Sequence, residues 1–145
     1  MVISDFSSKI VFLDTAPLIY FIEGHSVYQS HLKPLFEAND NGDFTFVTSS
    51  ITLLEVLVKP LKDGQSQLVG QYKSILLSAS GIEIYEIDNI IAVKAAELRA
   101  KYNLRTPDAL QIATAIEFKA HYFLTNDIRL KSVTEIQSVT LAELQ

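Results

Sequence analysis

The stretch Lys9-Ile10-Val11-Phe12-Leu13-Asp14-Thr15-Ala16-Pro17-Leu18-Ile19-Tyr20 decides the fold. Its first part is an apolar run built largely from β-favouring residues, which reads as a fully buried parallel strand. The run stops at a carboxylate and a hydroxyl. Pro17 then stands at an early helical position, where its missing N–H costs little. Asp14 is therefore expected at the C-terminal end of a central strand, beside a helix N-terminus. In open α/β sheets that edge is where ligands bind.

Outward from this stretch, helical and strand patterns alternate. Residues 16–23 read as a short helix, and residues 27–38 as a second one in which Pro34 argues for a kink or a break. Asn39-Asp40-Asn41-Gly42-Asp43 is a turn. A β-type run at 44–48 precedes a helix at 51–57 that holds Glu55 and that Pro60 is expected to end. Residues 67–77 are helical by composition, closed by Ser78-Ala79-Ser80-Gly81. Residues 82–87 alternate with strand period. Asn89 can cap the next helix, whose apolar stripe is Ile91, Ala95, Leu98 and Tyr102, with Asn103 as its stop.

Thr106-Pro107-Asp108 is a helix-start signature: a capping hydroxyl, proline at the first helical position and an acid in the first turn. The helix it opens, 109–119, is apolar on more than one face and is expected to be well buried. A short strand at 121–124 ends in the polar turn Thr125-Asn126-Asp127, and the tail adds an edge strand around Val139-Thr140-Leu141. The alternation predicts an α/β fold over residues 1–145 as one domain, a parallel sheet with helices on both faces.

The bulk numbers narrow the function. A chain of 145 residues with 48% hydrophobic content has enough apolar surface to form a sizeable core. The absence of cysteine excludes disulfides, thiolate zinc sites and a cysteine nucleophile, and suits a reducing cytoplasm. No apolar run approaches the roughly 18 residues of a membrane span, and the first residues lack a signal-peptide pattern. A soluble, cytoplasmic protein is expected. The formal net charge is −5 and there is no basic block, so any contact with nucleic acid is expected to be short, metal-assisted or helped by a partner. The five glycines form no phosphate-binding loop, Ser49-Ser50 lacks a nucleophile-elbow context, and the three histidines lack metal-ligand spacing.

Four carboxylates stand out by position: Asp14, Glu55, Asp108 and Asp127. Two follow apolar strands and two lie near helix starts, places that share one edge of a doubly wound sheet. Singly, each has an ordinary explanation. Asp14 can cap a helix, Thr52-Leu53-Leu54-Glu55 has the form of a capping box, Asp108 suits the helix dipole, and Asn126-Asp127 suits a turn. Together they form a set of oxygen donors fitted to a hard cation such as Mg²⁺ or Mn²⁺. Left without a cation the cluster repels itself, and at least one acid should have a raised pKa. With one it can activate water against a phosphodiester.

The order Phe-Leu-Asp14-Thr, Ser50-x4-Glu55, Thr-Pro-Asp108-Ala-Leu-Gln-Ile-Ala-Thr-Ala and Leu-Thr-Asn-Asp127 resembles the PIN domain, and within it the VapC-type toxins of toxin–antitoxin pairs. The Asp108 helix and the Thr-Asn-Asp turn are the most specific parts. The resemblance covers nearly the whole chain and implies a five-stranded parallel sheet and a Mg²⁺- or Mn²⁺-dependent endoribonuclease. It implies that Asp14, Glu55 and Asp108 hold the metal and that Asp127 completes the site. Thr15, Ser50, Thr125 and Asn126 would support the acids. Arg105, Arg129 and Lys131 lie near them in sequence, where they can meet phosphate or serve only as solvated surface charge. A small antitoxin partner and a homodimer follow from the same resemblance. A non-catalytic RNA- or protein-binding module of the same fold is the alternative.

Overall fold

The computed structural model describes residues 1–78 and 80–144, so Ala79 of the expected turn before the third strand lies outside the described residues. Five strands, β1 (Ile10–Leu13), β2 (Thr45–Ser49), β3 (Ile82–Tyr85), β4 (Tyr122–Thr125) and β5 (Gln137–Thr140), form one sheet. The order is β3-β2-β1-β4-β5 and every pairing is parallel. The apolar run that ends at Asp14 is thus the central strand. Because all strands run the same way, their C-terminal ends share one edge. The chain proceeds outward from β1 to β2 and β3, then crosses to β4 on the other side of β1. The order reverses beside β1, and a crevice at such a switch point is where ligands bind.

The strand period separates two cores. Val11, Leu13, Phe46 and Leu124 face one, together with Leu18, Leu32, Leu35, Phe36, Tyr72 and Leu76 from the helices α1 (Thr15–Glu23), α2 (Gln29–Asp40) and α4 (Ser66–Ser78). Phe12, Val47 and Phe123 face the other, with Ile91, Ala95 and Leu98 of α5 (Asn89–Tyr102) and Ile112 of α6 (Thr106–Glu117). Phe12 and Phe123 lie opposite each other in register and stack with centroids 5.1 Å apart. Both sheet faces are covered, which explains why the central strand β1 reads as a continuous apolar run. No helix among the described residues is long and apolar enough to cross a membrane.

Several local expectations are corrected. Helix α2 runs from Gln29 to Asp40 through Pro34, so its bounds shift two residues later than the pattern suggested. One interior proline costs about 3 kcal/mol. Burial of Leu32, Leu35 and Phe36 on the same helix outweighs that at about 1.5–3 kcal/mol each. Helix α3 (Ser50–Lys62) likewise continues through Pro60, whose buried ring lies in the last turn, and the Asp63 N–H still reaches the Lys59 carbonyl at 3.0 Å. Strand β3 ends at Tyr85, two residues early.

The caps also differ. Asp88, not Asn89, caps α5, accepting the Ile91 N–H at 2.9 Å. Ser49 caps α3 by accepting the Ile51 N–H at 3.1 Å, so Thr52 and Glu55 are not a capping box. Thr106 is the first residue of α6 rather than its cap, and Arg105 stands at the cap position without a side-chain bond. Asn103 ends α5 as expected, in a left-handed conformation with φ 55°.

Candidate functional site

Each of the four acids reaches the sheet edge by a different route. Asp14 follows β1 and caps α1, with its Oδ1 accepting the Thr15 N–H at 2.9 Å. Glu55 lies one and a half turns into α3, on the side facing α1, and accepts the Thr15 hydroxyl at 2.7 Å. Asp108 is in the first turn of α6, and Asp127 follows β4 and caps a 3₁₀ turn at Ile128–Ser132. All four, with Thr15, Arg105, Thr125 and Asn126, line one pocket of about 290 Å³.

Asp14 is the deepest of the four. Its Oδ2 accepts the Thr125 hydroxyl at 2.8 Å, and Oδ1 also faces the Gln111 amide at 3.4 Å. Burial pushes its carboxyl up to about 6, and the nearby Asp108 charge adds to the rise; the hydrogen bonds from Thr125, Thr15 and Gln111 oppose it. Asp127 shows the opposite response. Arg129 grips it with Nε to Oδ1 at 3.0 Å and Nη2 to Oδ2 at 2.6 Å, and this hydrogen bonding holds the carboxyl below its usual range. Arg105 Nε pairs with Asp108 Oδ2 at 3.1 Å. Lys131 turns away, towards Glu143 and the Ser138 carbonyl.

Ser50 is not among the residues lining the pocket. Its hydroxyl points to the Tyr85 carbonyl at 3.5 Å, while its neighbour Ser49 faces inward. Strand β2 extends through Ser49, and the strand-to-helix turn there sends the two hydroxyls in different directions.

Of the layer of neutral polar side chains beneath the acids, only Thr125 was singled out from sequence. The Gln111 amide donates to Thr52 Oγ1 at 2.7 Å, and its carbonyl accepts the Ser49 hydroxyl. Thr48 donates either to the Leu13 carbonyl at 2.8 Å or to Thr52 at 2.9 Å. Thr48, Ser49, Thr52, Gln111 and Thr125 are all buried. Among the described residues no buried side-chain nitrogen or oxygen lacks a partner. The available signal was Gln111 at three residues beyond Asp108, one helical step along the same face.

The donor chemistry fits a hard divalent cation: four carboxylates, no sulfur, and a buried Asp14 that holds its negative charge at a cost. The placement is looser than a closed cage. Among the described residues no group of three or more His, Cys, Asp or Glu side chains stands close enough together to hold a metal ion. Two of the four acids are engaged by guanidinium groups.

The PIN domain family model matches residues 11–136. A sequence comparison with curated proteins gives no match. Among solved structures, the fold is similar to VapBC2 from Rickettsia felis bound to a promoter DNA fragment, with a TM-score of 0.71, 24% identity, and coverage of 90% of this chain and 98% of that one. It is similar to a toxin–antitoxin complex from Klebsiella pneumoniae at a TM-score of 0.66, 26% identity, and coverage of 90% and 97%. A third is VapC20 from Mycobacterium tuberculosis, a sarcin–ricin-loop-cleaving toxin, at a TM-score of 0.69, 14% identity, and coverage of 88% and 98%. The five-stranded parallel sheet, the acids at its edge and the match across most of the chain agree: this protein belongs to the PIN domain family.

Proposed function

We propose that residues 1–145 act as one cytoplasmic domain, a Mg²⁺- or Mn²⁺-dependent endoribonuclease that serves as the toxin of a toxin–antitoxin pair. The observation that carries this reading is that Asp14, Glu55, Asp108 and Asp127, far apart in sequence, line a single pocket at the switch point of the sheet. Asp14, Glu55 and Asp108 would hold the cation, with Asp127 completing the site. The cation supplies Lewis acidity, making water a better nucleophile and offsetting charge on the phosphodiester.

The chain's own part is orientation. The Thr15 N–H and the Thr125 hydroxyl fix the two Asp14 oxygens, and the Thr15 hydroxyl fixes Glu55. Arg105 and Arg129 are exposed, so their carboxylate pairs are weak and screened by solvent. They can exchange a carboxylate for an RNA phosphate at little cost, which compensates for the acidic net charge. Water attacks phosphorus and gives up a proton to solvent, the P–O bond to the leaving ribose oxygen breaks, and that oxygen takes up a proton from solvent. Solved relatives that pair with an antitoxin support an antitoxin partner for this chain, and a homodimer is part of the same proposal.

The looseness of the carboxylate group favours a second reading, a non-catalytic RNA- or protein-binding module. Cleavage of single-stranded RNA with Mg²⁺ or Mn²⁺ separates the two. Asp14→Asn and Asp108→Asn should keep the fold by circular dichroism and lower cleavage by about 100-fold or more. Full activity in either variant sinks the nuclease assignment.

A further inference from the structure

We propose that Tyr20, His25 and Tyr28 form a stacking platform for an unpaired RNA base beside the scissile phosphate. The proposal deepens the nuclease reading and rests on it. The three rings gather where α1 turns into α2. Tyr20 and His25 have centroids 4.3 Å apart, Tyr20 and Tyr28 lie 5.8 Å apart with planes within 11°, and His25 and Tyr28 lie 5.2 Å apart at 28°. All three are half-buried. Tyr20 and Tyr28 rest against the first core, which leaves part of each ring to solvent.

The turn that carries these rings is fixed. Gly24 closes α1 in a left-handed conformation at φ 75°, and the His25 N–H bonds the Tyr20 carbonyl at 2.9 Å. His25 Nδ1 accepts the Val27 and Tyr28 N–H groups at 3.1 and 3.3 Å. The turn and the His25 ring are therefore held in place, and pre-organised surfaces lose less entropy on binding.

The platform also adjoins the acids. Asn126 lines the acidic pocket, and its Nδ2 donates to the Tyr20 hydroxyl at 3.2 Å. The aromatic cluster thus begins one side chain away from where the phosphate would sit. The charge balance favours such a surface. At a net charge of −5 and without a basic block, the chain lacks the many phosphate contacts that usually hold a single strand. Stacking on aromatic rings is the alternative, since every base has a π-face. A base inside a duplex is already stacked and paired, so the platform selects single-stranded or looped RNA.

The test uses the unmutated full chain with Ca²⁺, which takes the same oxygen donors as Mg²⁺ but is a weaker Lewis acid, so that the RNA stays uncut. The probe is a short single-stranded oligoribonucleotide in which 2-aminopurine is moved through successive positions. Stacking should quench its fluorescence at one or two neighbouring positions. Tyr28→Leu, which keeps apolar bulk but removes the π-face, should lose that quenching and weaken binding about fivefold or more, and Tyr28→Trp should restore both. Absence of quenching at every position overturns the proposal. So does a Tyr28→Leu chain whose Tm falls while its RNA affinity is unchanged, because the rings then only pack the turn. RNA cleavage by the unmutated chain is read separately. Cleavage without quenching rejects the platform and leaves the nuclease reading standing; quenching without cleavage does the reverse.

Discussion

The floor and the rim of the pocket are built on different physics. The floor consists of Thr48, Ser49, Thr52, Gln111 and Thr125, which are neutral, buried and mutually hydrogen-bonded. The rim consists of Glu55, Asp108, Asp127 and Arg105, with Arg129 pairing to Asp127 from beside the pocket, and both guanidinium side chains are largely exposed. In the interior an unsatisfied polar atom costs far more than a made hydrogen bond gains, so every polar side chain of the floor must keep a partner. At the surface an ion pair is weak and screened, so the rim can exchange partners. Asp14 sits on the boundary, fixed by the floor through Thr125 and Gln111 and made costly by its burial. The contrast suggests a division of labour in which the floor sets where the central carboxylate points and the rim meets cation and phosphate.

The sharpest way to break this division is to disrupt the floor without touching an acid. Gln111→Leu strips partners from Ser49 and Thr52 and removes the amide beside Asp14. It should destabilise the fold by about 1–3 kcal/mol in a urea titration and lower metal affinity by roughly 10- to 100-fold in calorimetry. Unchanged metal affinity would mean that the floor does not orient Asp14.

A second prediction uses pH. Because the folded-state pKa of Asp14 is raised to about 6, the native chain binds this proton more tightly than the unfolded chain does. Without divalent cation, the Asp14 contribution is therefore most favourable at acid pH and is lost as pH rises towards and through about 6. Asp14→Asn should flatten that part of the Tm-versus-pH curve, measured in chelator. Proton and cation compete for Asp14, so Mn²⁺ affinity measured by calorimetry should fall as pH drops below about 6.

The smallest effect is expected at the rim. Arg129→Ala removes an exposed pair with Asp127 and should leave the Tm almost unchanged. If Arg129 serves phosphate, the same variant raises the KM for RNA with a smaller change in kcat. A large loss of stability would contradict the view that the rim is loosely held.

What sequence disclosed follows the same boundary. The β1 strand, Asp14 at its end and the Asn103 stop were legible because they depend on a few adjacent residues with strong local preferences. The convergence of four acids was legible because strand ends and helix starts of a parallel sheet share an edge. The passage of α2 and α3 through Pro34 and Pro60 was not, since it depends on burial elsewhere in the helix. Ser49 was passed over for Ser50 because a one-residue shift in the strand-to-helix turn decides which hydroxyl faces inward. Gln111 carries only the weak local signal of its three-residue spacing from Asp108. It becomes a hub only when α6 lies over the end of β2.

The central claim is that the four acids share one cation, and calorimetric titration of the chelator-treated chain with Mn²⁺ tests it most directly. Saturable binding in the unmutated chain, lost in Asp14→Asn and Asp108→Asn chains that keep their circular dichroism spectra, is the predicted result. No binding by a folded unmutated chain, or binding unaffected by both substitutions, would contradict it.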